Sequence, residues 1–169
     1  MKYTSSEANK LLKKLNADYQ TLLSLETQSR TFLAATGEDI ESVRPAYDYA
    51  KTQSDLKALA KKIRTVRHAI SLFNVTTAVP GFDMTVDELL VYLPQLSERV
   101  NTLDDMRTKL PKERERTYGS GTTATIDYRY VNYDLDAVNR DYDEAYALLA
   151  KAQTALDRLN NTSAIEIDL

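Results

Sequence analysis

A stripe of basic side chains lies along the second predicted helix. It comprises four residues spaced by four, three and four positions, so that they share one helix face: Lys57, Lys61, Arg64 and His68. Such a stripe can contact the phosphates of a nucleic acid or an anionic lipid surface. It can also flank a helix–helix seam and pair with acids. The last predicted helix supplies five such acids: Asp134, Asp136, Asp141, Asp143 and Glu144.

The pairing with acids is the favoured interpretation of the stripe. The sequence has no glycine-rich phosphate loop that would bind a nucleotide, and we find no aromatic and basic strand signature of an RNA-binding sheet. Nucleic-acid binding through the stripe therefore stays the alternative.

A second set of charged residues flanks the turn signal Gly119-Ser120-Gly121. Alternation along a strand puts Arg114 and Arg116 on one face of the first strand, and Asp127 and Arg129 on one face of the second. These side chains could bind an anion or a small ligand. The favoured interpretation is that they form cross-strand ion pairs, each contributing about a few tenths of a kcal/mol to the pairing of the two strands.

Tyrosine is concentrated in the same region, since six of the 11 tyrosines fall between Tyr118 and Tyr146. Tyrosine combines a large contact area with a polar tip, so a cluster indicates either an interface or a set of rings that cap the core. Both alternatives stay open. Together with the charged residues, the tyrosines give a candidate interaction surface: Arg114, Arg116, Tyr118, Asp127, Tyr128, Arg129 and Tyr130.

Composition excludes several kinds of chemistry. The chain has no cysteine, which excludes disulfides, thiol catalysis and cysteine-bound zinc. With a single histidine, His68, a histidine-rich metal site is improbable, and no catalytic motif supports a triad. We therefore expect a protein that is not an enzyme and has no cofactor and no metal. The sequence points to no small-molecule substrate.

The charge and hydropathy pattern predicts a cytoplasmic protein. The formal net charge is −3, which gives no overall attraction to nucleic acid or anionic membranes. The first residues do not form a signal peptide, and no stretch approaches the roughly 18 apolar residues of a membrane span. We expect no transmembrane segment.

Heptad spacing predicts a mainly α protein in one domain, residues 1–169. Apolar residues recur at alternating steps of three and four in four segments, about 4–36, 45–73, 85–110 and 134–160. Thr4 and Glu7 have the spacing of a capping box at the first helix. Pro94 is expected to kink or split the third. The predicted architecture is an antiparallel four-helix bundle, or coiled-coil hairpins, with a small β-ribbon at one end made of residues 112–131 and 164–169.

The two halves of the chain show an internal correspondence. A shift of the second helix by 86 residues superimposes its heptad on that of the last helix, and places Asn74 and Thr76 on Asn160 and Thr162. A shift by 81 residues places Thr4 and Glu7 on Thr85 and Glu88. A duplication explains this pattern, but so does the tendency of all heptads to align, and both explanations stay open.

Three stretches carry a resemblance to a known family. They are Ile70–Thr76 (ISLFNVT), Ile126–Asp134 (IDYRYVNYD) and the ending LDRLNNT followed by EIDL. The chain resembles the septicolysin-like family of small bacterial proteins, which implies long helices with a strand segment before the last one. The family name suggests a lytic protein, yet this sequence has no export signal and no apolar membrane hairpin. The resemblance supplies no catalytic residues.

The function that we expect from the sequence is that of a non-enzymatic helical interaction or scaffold protein. Wide apolar stripes and the predicted edge strand near Ile165–Leu169 favour self-association. The alternatives are a nucleic-acid-binding helical arm that uses the basic stripe and, from the resemblance, a lytic protein.

Overall fold

Helices make up most of the computed structural model, which describes residues 1–115 and 127–169. The described elements, in chain order, are β1 (Lys2–Thr4), α1 (Ser5–Ser29), α2 (Ile40–Val43), α3 (Tyr49–Thr76), α4 (Val86–Arg107), β2 (Lys112–Arg114), β3 (Tyr128–Tyr130), α5 (Leu135–Thr162) and β4 (Ala164–Glu166). The mainly α class is therefore confirmed.

The described residues group into two compact units. The first contains Met1–Val86 and Asp157–Leu169, and the second contains Asp87–Leu156. Helix α5 begins in the second unit and ends in the first. The single domain and the four-helix bundle stay predictions.

In the first unit, α1 and α3 form an antiparallel helical hairpin. Tyr47, just before α3, donates a hydrogen bond of 3.4 Å to Glu26 near the end of α1. Further along, the two helices share a buried apolar core: Ala8, Leu15, Val66, Ile70, Ile165 and Ile167. The four helical members of this core occupy predicted heptad positions. Ile165 lies in β4, and Ile167 follows it.

The capping box at the start of α1 is also confirmed. The Thr4 hydroxyl accepts a hydrogen bond from the Glu7 backbone N–H at 3.2 Å, and the Glu7 carboxylate accepts one from the Thr4 backbone N–H at 2.8 Å. Two backbone donors that the helix cannot satisfy internally are thus paired.

The C-terminal strand pairs with the N-terminus, which corrects the predicted ribbon. Strand β4 lies antiparallel to β1, with Ile165 opposite Tyr3, while β2 and β3 form a separate sheet. The Met1 amino group donates to the Ile167 carbonyl at 2.9 Å, and the Ile167 N–H donates to the Met1 carbonyl at 2.9 Å. The prediction missed β1 because only three residues precede the helix cap.

Several helix ends differ from the predicted ones. Helix α1 ends at Ser29, not near residue 36, and Leu33 beyond it is 96% exposed. Because Leu33 is not buried, extending the helix to this residue gains nothing from its packing. Helix α3 begins at Tyr49, not at Pro45, because the Asp48 side chain caps it by accepting from the Lys51 N–H at 3.0 Å.

The second unit has its own core around α4 and α5. Four buried residues form it: Val100, Leu103, Val138 and Ala145. Helix α4 passes Pro94 without being split, which contradicts one of the two predicted outcomes. Leu89 and Leu96, buried on either side of Pro94, supply packing that offsets the lost backbone hydrogen bond.

The internal correspondence extends to the boundaries of the elements. Helices α3 and α5 both have 28 residues, and both their first and their last residues are 86 positions apart. Asp48 and Asp134 precede them, and each accepts a backbone hydrogen bond from the first turn. The bridge between Ala78 and Thr85 has its counterpart in the pair Ala164 and Thr4. Chance alignment of heptads does not explain matching caps and bridges, so the duplication is the better explanation.

Candidate interaction surfaces

The β2–β3 ribbon has two faces of opposite character. Strand register places Lys112 opposite Tyr130, Glu113 opposite Arg129, and Arg114 opposite Tyr128. Because side chains alternate across a strand, the two cations of β2, Lys112 and Arg114, share one face with the rings of Tyr128 and Tyr130. All six residues are exposed, so neither face of these strands is buried.

The first of these faces, which we name the cation–tyrosine face, consists of Lys112, Arg114, Tyr128 and Tyr130. The Lys112 ammonium lies 4.1 Å from the centre of the Tyr128 ring and 5.4 Å from that of Tyr130. Such contacts between a cation and a ring stabilise exposed sites by about 0.5–1 kcal/mol. Tyr128 is 45% exposed and Tyr130 60% exposed, which leaves much of both rings accessible.

The opposite face carries most of the acidic residues of the ribbon. The Arg129 guanidinium donates to the Glu115 carboxylate at 2.8 Å, which is an ion pair between the two strands. This hydrogen bond lowers the pKa of Glu115 and raises that of Arg129. Glu115 also donates its backbone N–H to the Asp127 carbonyl at 2.9 Å, so the pairing continues one residue beyond the strands.

Two predicted members of the candidate surface, Arg116 and Tyr118, lie outside the described residues. Of the others, the structure brings Arg114, Tyr128 and Tyr130 together on one face and sets Asp127 and Arg129 on the other. Lys112, which completes the cation–tyrosine face, was missed. The signal that could have found it is the alternation Lys-x-Arg before the turn and Tyr-x-Tyr after it.

Other tyrosines of this region belong to the core. The Tyr133 hydroxyl donates to the Met106 carbonyl at 2.8 Å, and its ring packs against the core of the second unit. Tyr142 packs there too, beneath the Arg107 guanidinium at 3.7 Å from the ring centre, and stacks on the exposed Tyr146. The tyrosine cluster thus contains rings that pack against the core as well as exposed rings, and an interface role for the exposed rings stays a prediction.

The basic stripe on α3 is exposed along its whole length. Lys57, Lys61, Arg64 and His68 all face solvent. Within residues 1–115 and 127–169, the structure shows no ion pair to any of the four, while Asp141, one of the acids expected to pair with them, lies 3.8 Å from Arg99. The stripe lies in the first unit and these acids lie in the second, so the predicted pairing stays a prediction.

Strand β4 borders a groove in the first unit, which we name the β4 groove. Antiparallel pairs alternate between bonded and non-bonded residues, and Met1 and Ile167 are a bonded pair. The backbone N–H and C=O of Glu166 therefore point away from β1, towards the unpaired edge. The groove beside β4 has a volume of about 420 Å³ and an apolar wall on α3 formed by Ala69, Leu72 and Phe73.

Neither a metal cluster nor a membrane helix is found in the described residues. No group of three or more histidine, aspartate or glutamate side chains there could hold an ion. No described helix combines the length and apolar character required to cross a membrane.

Comparisons with known proteins define the class of fold. No family model matches the chain, and no curated protein matches it. The crystal structure of a functionally unknown conserved protein from Corynebacterium diphtheriae is similar, with a TM-score of 0.60 at 16% identity over 98% of this chain and 100% of that one. At this identity the likeness shows the fold alone, and the resemblance to the septicolysin-like family stays a prediction.

Proposed function

We propose that the protein is a non-enzymatic interaction protein of the cytoplasm that self-associates, and that the β4 groove is the surface used. The observation that carries the proposal is the unpaired edge of β4 beside an apolar helix wall. An edge strand offers unpaired backbone donors and acceptors to a further strand, here that of a second copy.

The side chains of the groove favour an added strand. Leu72 on α3 is 53% exposed, so covering it removes apolar surface from water. Glu166 would face a like charge if β4 paired with β4 of another copy, but the Lys2 ammonium lies 3.4 Å from its carboxylate and offsets this repulsion.

The test is the oligomeric state in solution, measured by light scattering after size exclusion over a range of concentrations. We expect a defined oligomer that Leu72→Asp converts to monomer. Glu166→Pro should do the same, because it removes the outward N–H but no backbone hydrogen bond to β1. Leu25→Asp is the control, since Leu25 is 54% exposed and lies far along α1 from β4. A monomeric wild-type protein at high concentration would refute the proposal.

Nucleic-acid binding through the basic stripe is the second candidate, supported by the exposure of its four side chains. Phosphate contacts release counterions, so binding through the stripe should weaken steeply as salt is raised. Lys57→Glu with Lys61→Glu should abolish it. Lys13→Glu with Lys14→Glu on α1 is the matched control, and equal loss in both double variants would argue against a site on α3.

A further inference from the structure

We propose that the cation–tyrosine face of the β2–β3 ribbon binds single-stranded nucleic acid, with phosphates at Lys112 and Arg114 and bases stacked on Tyr128 and Tyr130. This surface is separate from the β4 groove, and the inference goes beyond self-association.

The separation of charge between the two faces is the first argument. Register and alternation put both cations of β2 on the face of the rings, while Glu113, Glu115 and Asp127 lie on the other. No carboxylate of the described ribbon residues shares the cation–tyrosine face, so these residues offer only cations to a phosphate on that side. Coulomb attraction of this kind supplies most of the sequence-independent affinity for nucleic acid.

The accessibility of the rings is the second argument. Tyr128 and Tyr130 are two residues apart on one strand, so they stand about 6.8 Å apart along it. That distance leaves a position for one base on each ring. Stacking of bases on aromatic side chains beside cations is the means by which proteins hold single strands without reading their sequence.

The position of Lys112 is the third argument. Its ammonium lies above both rings, at 4.1 Å and 5.4 Å from their centres, so charge and stacking surface are held at one place before any ligand arrives. A duplex would present its phosphates but not the faces of its bases. Paired bases are buried in their own stack, so the rings favour a single strand.

The test measures binding of a fluorescein-labelled 12-nucleotide single strand to the full-length protein by anisotropy, at several salt concentrations. A duplex of the same sequence is the comparison. We expect the single strand to bind more tightly than the duplex. Tyr128→Ala and Tyr130→Ala should each weaken binding about tenfold, whereas Tyr128→Phe and Tyr130→Phe, which keep the ring, should stay within about twofold.

Charge variants separate the phosphate contacts from the stacking. Lys112→Gln should lower the slope of log affinity against log salt by about 0.7, as expected for the loss of one phosphate contact to a single strand. Tyr49→Ala and Lys14→Gln are matched controls, because both residues are exposed and lie on helices of the first unit. Both should bind like the wild-type protein.

Three results would overturn the proposal. They are the absence of binding at low salt, a duplex bound as tightly as the single strand, and binding that survives Tyr128→Ala with Tyr130→Ala but is lost with Lys57→Glu and Lys61→Glu. The last would assign binding to the basic stripe. Leu72→Asp should leave nucleic-acid binding unchanged. A failure of this proposal can therefore be distinguished from a failure of the proposed self-association.

Discussion

Single residues of similar type have different roles according to their surroundings. Tyr133 and Tyr146 are 13 positions apart in the sequence. The first is half-buried and hydrogen-bonded, and the second is exposed and stacks on Tyr142. Their spacing gives no hint of this difference, because it depends on whether a carbonyl lies within reach of the hydroxyl.

Removal of the two hydroxyls should therefore have unequal effects. Tyr133→Phe loses the bond to the Met106 carbonyl and should lower the free energy of unfolding by about 0.5–1.5 kcal/mol, measured by urea denaturation. Tyr146→Phe has no described hydrogen bond to lose and should change the free energy of unfolding little. Equal effects would show that the Tyr133 bond contributes no stability.

Glu7 provides a prediction for pH. The hydrogen bond from the Thr4 backbone lowers the pKa of Glu7. A carboxyl whose pKa is lower in the folded state stabilises the fold above its unfolded pKa, and loses that contribution as the pH falls through its folded pKa. The wild-type protein should thus be more stable than Glu7→Gln at pH 7, and the difference should shrink in acid. Thermal unfolding from pH 7 to pH 3 measures it, and a difference independent of pH would contradict the assignment.

At the scale of elements, contacts between distant residues determine the strand pairing, which local sequence patterns do not predict. The capping box, the heptad cores and the mainly α class could be predicted, because each depends on residues close in sequence. The pairing of β4 with β1 could not, since the two strands lie at opposite ends of the chain. Lys112 of the cation–tyrosine face was missed for a different reason, because the register of two such short strands depends on the turn between them.

Helix α4 provides a prediction at this scale. Pro94 is exposed in the middle of a continuous helix, where it cannot donate to the Leu90 carbonyl. Pro94→Ala restores that donor and should raise the free energy of unfolding by up to about 3 kcal/mol. The melting temperature followed by circular dichroism measures the change. A lower melting temperature would mean that the surrounding core depends on the backbone conformation that proline favours.

At the scale of the whole molecule, two similar halves pair through their end residues. Residues before the first helix of one half pair with residues after the last helix of the other, as Thr4 with Ala164 and Thr85 with Ala78 show. The halves differ between their helices, where the first has the short helix α2 and the second has the ribbon.

This arrangement predicts that the chain tolerates circular permutation. Met1 and Ile167 are already hydrogen-bonded to each other, so a short glycine and serine linker can join the two ends. The new ends are placed between Gly81 and Phe82, in the turn that joins Ala78 to Thr85. By the internal correspondence, this turn is equivalent to the place where Ala164 and Thr4 pair without a connecting segment. The permuted protein should keep its helical circular dichroism spectrum and unfold in one cooperative urea transition. The same opening placed between Leu89 and Leu90, inside α4, should abolish folding.

The matching boundaries of α3 and α5 also indicate how the chain originated by duplication. One helical hairpin, copied once and fused in tandem, leaves this pattern of equal helices, matching caps and paired ends. After such a fusion the two linkers between helices are free to diverge, since either can change without loss of the paired ends. The ribbon between α4 and α5 and the short helix α2 between α1 and α3 are then two different outcomes for one ancestral linker.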